Sequence, residues 1–405
     1  MLRDRSIAAL LTAEVVSTTG SQMTWLALPW FVLITTGSAT RMTFVVAAEL
    51  IGLAALALPG GKVLRRFGAW RTMVACDAAR GALMLSIPLL HWAGALSFAL
   101  LLALVGVLGA LTAPYFAAQK IIVPELLGED EALVGRASAL FQGATRVTLL
   151  LGPVAGGVLI GALSAPAVLV VDAATYVVSV AFVVAFVPRR PPLVSDEETG
   201  VREGLRFLLR DRVMRVWTPI FSIGDAAWTA FFVSIPVLVV TRFDANPRIA
   251  GWLIASFGIG AVAGNVLVYR VLLDRFHGMT LISACILGQA LPLWLLTMHL
   301  PAAAYSGALA ASGLANGLVN PSIHAFMTLR IPPALRPSVM TTTMLVFALG
   351  QPVGVFIAGP VLDAFGTEPV LVGFATTQTL AMSVIAVTAL RERDVAGPAL
   401  AAETR

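Results

Sequence analysis

PRRPPLVSDEETGVREGLRFLLRDR, residues 188–212, is the longest polar stretch of the chain, and long apolar runs lie on both sides of it. Its first part carries Pro191-Pro192 and the acidic Asp196-Glu197-Glu198. Its second part sets Leu205, Leu208 and Leu209 at helical spacing against Arg202, Glu203, Arg206 and Arg210. That pattern predicts an amphipathic helix lying on a membrane surface. Composition says why a membrane is at hand. Of 405 residues, 58% are hydrophobic and 12% charged, whereas a soluble domain has about 45–50% apolar and 25% charged residues.

Dividing the chain at charge clusters and Gly/Pro breaks gives twelve helical spans, near 7–35, 42–64, 71–92, 95–123, 133–163, 166–187, 215–241, 248–272, 279–299, 302–329, 337–363 and 369–390. At about 20–25 residues each they cross a hydrocarbon core of roughly 30 Å and leave only short loops. The breaks after even-numbered spans hold most of the basic residues, among them Lys62, Arg65, Arg66, Arg71, Lys120, Arg136, Arg270 and Arg330. Those after odd-numbered spans hold Arg41, Arg242 and Arg248. Basic residues mark the cytoplasmic side, so both termini are expected inside. The first apolar segment, running to about Ile34, exceeds the core of a secretory signal and reads as an uncleaved span.

The expected fold is therefore all-α integral membrane, with twelve transmembrane helices in two pseudo-symmetric six-helix bundles. Residues 1–188 form the first, 189–214 the cytoplasmic linker, 215–393 the second and 394–405 a cytoplasmic tail. The halves echo one another, since Arg66-Phe67 and Arg275-Phe276, and Cys76 and Cys285, recur about 209 residues apart. Such repeats place a binding site near the midplane. The net charge of +5 is spread over short loops and does not form a nucleic-acid-binding face. Two cysteines in apolar stretches give no disulfide framework, and no P-loop, H-E-x-x-H or His/Cys set suggests a nucleotide or metal site. Abundant Ala and Arg point to a bacterial genome, hence to a bacterial plasma membrane.

The loop Gly61-Lys-Val-Leu-Arg65-Arg66-Phe-Gly68-Ala-Trp-Arg71 resembles the G-x-x-x-D-R-x-G-R-R signature of the major facilitator superfamily, with Arg65 where the family has Asp. The second half carries Asp274-Arg275-Phe-His-Gly278. Gly152-Pro153-Val-Ala-Gly156-Gly157 resembles the core of the motif of drug:proton antiporters. Asp77-Ala-Ala-Arg80, Val171-Asp172-Ala-Ala-Thr and Glu203-Gly204-Leu-Arg206-Phe are similar to the macrolide-efflux and enterobactin-exporter branch. The resemblance implies the twelve-helix fold, a monomer, a cavity lined by spans 1, 4, 7 and 10, and a proton gradient as energy source without a cofactor. It also makes Gly61, Arg65, Arg66, Gly68, Asp77, Arg80, Gly152, Pro153, Asp274 and Arg275 the conformational motif residues.

Ionisable residues inside spans cost about 2.5–3.5 kcal/mol on insertion scales, so each needs a partner or a role. Glu14, Thr18 and Gln22 recur on one face of span 1, near Trp25. Glu14 is either a proton carrier or a structural acid hydrogen-bonded between helices. Asp225, in mid-span 7 before Trp228, Phe231 and Phe232, is harder to explain structurally and is the second proton-coupling candidate. Asn316, Asn320 and His324 share a face of span 10, where they either line the cavity or serve helix packing. Arg80 has Asp77 three residues before it, which makes a local ion pair the plain explanation. Arg146 needs an interhelical partner, or else faces the cavity and attracts an anionic substrate. Glu49 and Asp172 are gate or structural acids.

These features favour a secondary transporter, not an enzyme: a proton-driven exporter of a small hydrophobic or amphipathic compound such as a drug, a macrolide-like product or a siderophore. The alternative within the family is a lysophospholipid flippase or an uptake symporter.

Overall fold

The computed structural model describes residues 5–57, 64, 66–128, 131–189, 200–272 and 278–403. Gly61, Arg65, Asp274 and Arg275 lie outside them. The described residues contain helices and no strand. The first six are α1 (Arg5–Thr36), α2 (Ala39–Ala57), α3 (Ala69–Trp92), α4 (Phe98–Leu127), α5 (Glu131–Ala162) and α6 (Ala165–Phe186). The linker helix α7 (Val201–Arg210) precedes α8 (Met214–Arg242) and α9 (Pro247–Leu267). Then follow α10 (Gly278–Cys285), α11 (Leu287–Ala290), α12 (Ala302–Arg330), α13 (Arg336–Phe365) and α14 (Thr367–Glu403).

Nine of the described helices are long and apolar enough to cross a membrane. The polar residues of α1 and α12 lower their hydropathy, although at 32 and 29 residues both have the length. The ninth span departs from the single helix expected over 279–299. It is built from α10, α11 and a 3₁₀ segment, Leu291–Thr297. Pro292 accounts for the change to 3₁₀ from Leu291, because it has no N–H to donate and its ring clashes with the carbonyl four residues earlier. Ser97 and Ser164 cap α4 and α6 by accepting from the N–H of Leu100 and Ala167. Gly94 and Gly366 follow α3 and α13 with φ of 67° and 76°, a left-handed turn that a side chain would strain.

The chain divides into two compact units: Met1–Glu197 with Pro236–Trp252, and Glu198–Ile235 with Leu253–Arg405. Lipid gives no hydrophobic push between helices, so close approach has to supply the cohesion. Both units use the same device. In the first, α2 and α4 meet where Gly109 lies against the backbone of Glu49 and Gly52 against that of Gly106. In the second, α9 and α12 meet through Gly260, Gly264, Gly313 and Gly317. Side chains on the outer faces, such as Val177 at 66% and Tyr269 at 67% exposure, belong to the surface that lipid covers.

Helix α7 is docked on the second unit. A side chain at Gly204 would collide with the carbonyl of Ser338 and the hydroxyl of Thr342, while Leu208 is buried with Met214, Ile331 and Val339. Asp211 then ties the linker to two helices. Its Oδ1 accepts from the N–H of Val213 and of Met214 at 2.9 Å, capping α8, and both carboxylate oxygens accept from Arg330 Nε at 2.9 Å. Partial burial pushes this carboxyl up, yet the Met214 N–H, the Arg330 guanidinium and the Val213 N–H together outweigh it and hold it below its ordinary value.

Two outcomes are expected. Gly109→Ala should lower stability by about 1–3 kcal/mol through overpacking, whereas Gly143→Ala, with nothing within 4 Å, should raise it by up to about 1 kcal/mol through the better helix propensity of Ala; unfolding in detergent compares the two. Asp211→Ala should cost about 0.5–2 kcal/mol at neutral pH, as loss of a helix cap does. Because the folded carboxyl titrates below the unfolded one, its contribution is complete above about pH 4 and fades as pH falls through the folded value. A gap between wild type and variant that stays constant from pH 7 into strong acid would contradict this.

Candidate functional site

The first unit buries a polar centre, and the second sets half-buried polar side chains around a cavity. In the first unit, α1, α3, α4 and α6 converge on Arg80, which is 6% exposed, with Glu14 and Asp77 at 2% and Asp172 at 0%. Arg80 Nη1 pairs with Asp77 Oδ1 at 3.3 Å, and the other oxygen of Asp77 accepts from Ser179 Oγ at 2.7 Å. The guanidinium lies over the rings of Tyr176, 4.5 Å from its centroid, and Tyr115, at 5.3 Å. Each ring carries the network onward. Tyr115 donates to Glu14 Oε2 at 3.2 Å, and Glu14 Oε1 accepts from Thr18 at 2.9 Å. The Tyr176 hydroxyl is 2.9 Å from Ser21 Oγ. A separate limb holds Asp172, which accepts from Thr24 at 2.6 Å and Thr175 at 3.2 Å. Glu49 of α2 lies within electrostatic reach of Arg80 and Asp172.

This geometry sorts the stripe expected on α1. Each step of four residues rotates about 40° around a helix, so Gln22 is turned roughly 80° from Glu14. Gln22 packs against Gly152 of α5, where a side chain on that glycine would meet its Cβ. Ser21, seven residues from Glu14, returns to the network face, and Trp25 is half-buried. Pro153 is buried beside Gly152. Arg146 is exposed and forms no ion pair among the described residues. Arg66 is exposed over the ring of Phe67, and Gly68 opens α3 with φ of 78°. Tyr115, Tyr176, Ser21, Ser179 and Thr24 are members that the sequence did not single out. One signal was available: the chain has four tyrosines, and a tyrosine deep in an apolar span needs a hydrogen-bond partner.

In the second unit a cavity of about 540 Å³ is lined by Asp225, Trp228, Asn316, Asn320 and His324. Asp225 Oδ2 accepts from Gln351 Nε2 at 2.6 Å. Asn320 donates to Asn316 Oδ1 at 3.2 Å, one helical turn away. Gly313 and Gly317, seven residues before Asn320 and His324, pack against the backbone of Phe257 and Ala261 of α9. Trp228 is surrounded by Phe232, Phe257 and Phe374 with centroids at 5.3, 4.5 and 4.8 Å. Phe231 is 1% exposed and stacks on Phe374 at 4.5 Å behind that wall. Met214, Met327, Met340, Met344 and Met382 form adaptable walls. Gln378 donates to the carbonyl of Gly224 at 2.8 Å, and its Oε1 is buried with no donor among the described residues. A second hollow of about 430 Å³, between α8, α13 and α14, has no charged residue in its lining.

The description Major Facilitator Superfamily belongs to the family model that matches residues 10–355. The multidrug efflux pump Tap of Mycobacterium tuberculosis is 26% identical over 401 residues, covering 96% of this chain and 94% of that protein. The pump of the same name in Mycolicibacterium fortuitum is 27% identical over 406 residues, covering 96% and 97%. Among solved structures, the nucleoside transporter NupG superposes with a TM-score of 0.73 at 13% identity, over 94% of this chain and 98% of that one. A D-xylose-proton symporter reaches 0.69 at 15% identity, over 94% and 96%. At such identities these structures speak for the fold alone.

Removing one partner of a buried ion pair leaves an uncompensated charge, so Arg80→Met is expected to cost about 3–5 kcal/mol. Adding Asp77→Leu should recover most of that loss, because an apolar pair of similar volume replaces the ionic one. Unfolding of the single and double variants in detergent measures both, and a double variant no better than the single one would contradict the pairing.

Proposed function

The chain belongs to the major facilitator superfamily, and on that premise we propose that it exports small, largely apolar compounds in exchange for protons. It is a multi-pass membrane transporter. The observation that carries the finer reading is the cavity of the second unit, where a single carboxylate, Asp225, sits among aromatic and methionine side chains. Such walls accept many apolar shapes, and the likeness to pumps named for multidrug efflux points the same way.

Protons enter the scheme through carboxyl groups held by neutral hydrogen-bond donors. A buried carboxylate demands donors, whereas its protonated form does not. Asp225 receives one such donor from Gln351. In the proposed cycle a proton on Asp225 leaves the cavity electrically neutral and lets it close. Loss of the proton restores a charge that favours an open, hydrated cavity. Glu14 is the second carrier, since Thr18 and Tyr115 can hydrogen-bond it in either protonation state. The proposal includes a monomer in a bacterial plasma membrane with both termini cytoplasmic.

Efflux from energised vesicles tests the coupling. Glu14→Gln and Asp225→Asn are each expected to reduce proton-driven transport at least tenfold, a typical contribution of a positioned proton-transfer group being about 10²–10⁴. Proton-dependent transport retained in both variants would end the assignment. Thermal-shift titrations with a neutral macrolide, a catecholate siderophore and a lysophospholipid separate the substrate classes, and Trp228→Ala should abolish the shift given by the class that binds.

A further inference from the structure

The faces of α7 are divided by more than polarity. Gly204 and Leu208 turn toward α13 and the buried cluster of Met214, Ile331 and Val339. Next to this docked face Leu205 is 44% exposed and Leu209, one turn further on, 64%. Beside this apolar pair Arg202, Arg206 and Arg210 are all exposed, with Glu203 as the acid of the same face. Asp211 is already committed to Arg330 and to the start of α8. The helix thus presents two leucines flanked by three guanidinium groups, next to the ends of spans that lie in a bilayer.

We propose that this outer face of α7 is a docking site for anionic phospholipid headgroups, and that lipid held there steadies the base of the cavity in the second unit. Two exposed leucines on a linker helix match the boundary between headgroups and acyl chains, where an amphipathic helix buries its apolar side. The arginines beside them can lay their stems along that boundary while their planar donors reach phosphate oxygens. Free phosphate satisfies the guanidinium groups but offers nothing to Leu205 and Leu209, so the occupant is a lipid. The inner leaflet is the source of negative charge that a basic helix of this kind meets.

The link to the cavity is through shared residues. Met214 and Ile331 pack on Leu208, and Met327 joins the same cluster. All three also line the 540 Å³ cavity. Thr342 Oγ1, which donates to the carbonyl of Ser338 at 2.7 Å, also lies 3.2 Å from the carbonyl of Val201, so the start of α7 sits against α13. A lipid that holds α7 in place therefore holds the floor under Asp225 and the asparagine face of α12. The proposal does not depend on what the cavity carries, and binding of lipid is read without transport.

The test uses the full chain. In detergent, phosphatidylglycerol, phosphatidylcholine and inorganic phosphate are titrated against wild type and the variant Arg202→Gln, Arg206→Gln, Arg210→Gln, with thermal stability and native mass spectrometry as readouts. Wild type is expected to prefer phosphatidylglycerol to phosphatidylcholine by roughly 100-fold, at about fivefold per arginine, and the triple variant to lose that preference. A nitroxide at Leu209→Cys, in a Cys285→Ser background, should be shielded from a water-soluble relaxing agent in phosphatidylglycerol vesicles. Equal retention of the two lipids by wild type would overturn the proposal. So would an unchanged preference in the triple variant, an equal effect of inorganic phosphate, or a water-exposed label.

Discussion

A segment that crosses lipid finds no water for its backbone, so every N–H and C=O has to be paired within the segment or by its neighbours. That constraint makes this chain a set of helices and decides where they can break. The ninth span is the instructive case. Pro292 removes one donor and one allowed position, and from Leu291 the structure answers with a 3₁₀ turn, whose tighter hydrogen bonds keep the backbone paired. Gly109 against Glu49 and Gly313 against Phe257 follow from the same constraint. Once backbones are internally satisfied, what joins helices in lipid is close contact, and a missing side chain is the simplest way to get it.

The same medium governs the charged side chains. The first unit gathers Glu14, Asp77 and Asp172 around Arg80 and surrounds the guanidinium with two tyrosine rings and several hydroxyls. The second places Asp225 at the edge of a cavity with an amide as partner. These arrangements differ in kind. A charge inside a dense network is fixed by several helices at once, whereas one with a single partner and open space beside it can change partners. The sixth helices show the contrast again, since Asp172 of α6 faces Gly20 of α1, while Gln378 of α14 faces Gly224 of α8.

Much of the candidate site was legible because a polar atom in an apolar run is conspicuous. Asp225, Asn316, Asn320 and His324 stood out in this way, and all line one cavity. The pairing of Asp77 with Arg80 was also readable, because three residues on a helix is a fixed distance. The hydroxyl partners were not, since Ser and Thr are common enough in spans to pass unremarked, and the four tyrosines signal a partner without saying on which helix it lies. Gln351 and Phe374 were missed for a related reason: each acts on α8 from a different helix, and nothing in their local pattern points to it.

By itself the sequence determined the elements, because span length, the side on which basic residues gather, and helical periodicity are all local quantities. It determined the amphipathic character of residues 201–210 for the same reason. Only the tertiary structure decided which side of each helix meets which neighbour. Periodicity gives angles about a helix's own axis, but the orientation of one axis against another comes from where backbones can touch. That is why Gln22 was turned onto Gly152 and Ser21 onto Tyr176, why Phe231 sits behind the cavity wall, and why Arg146 is left exposed.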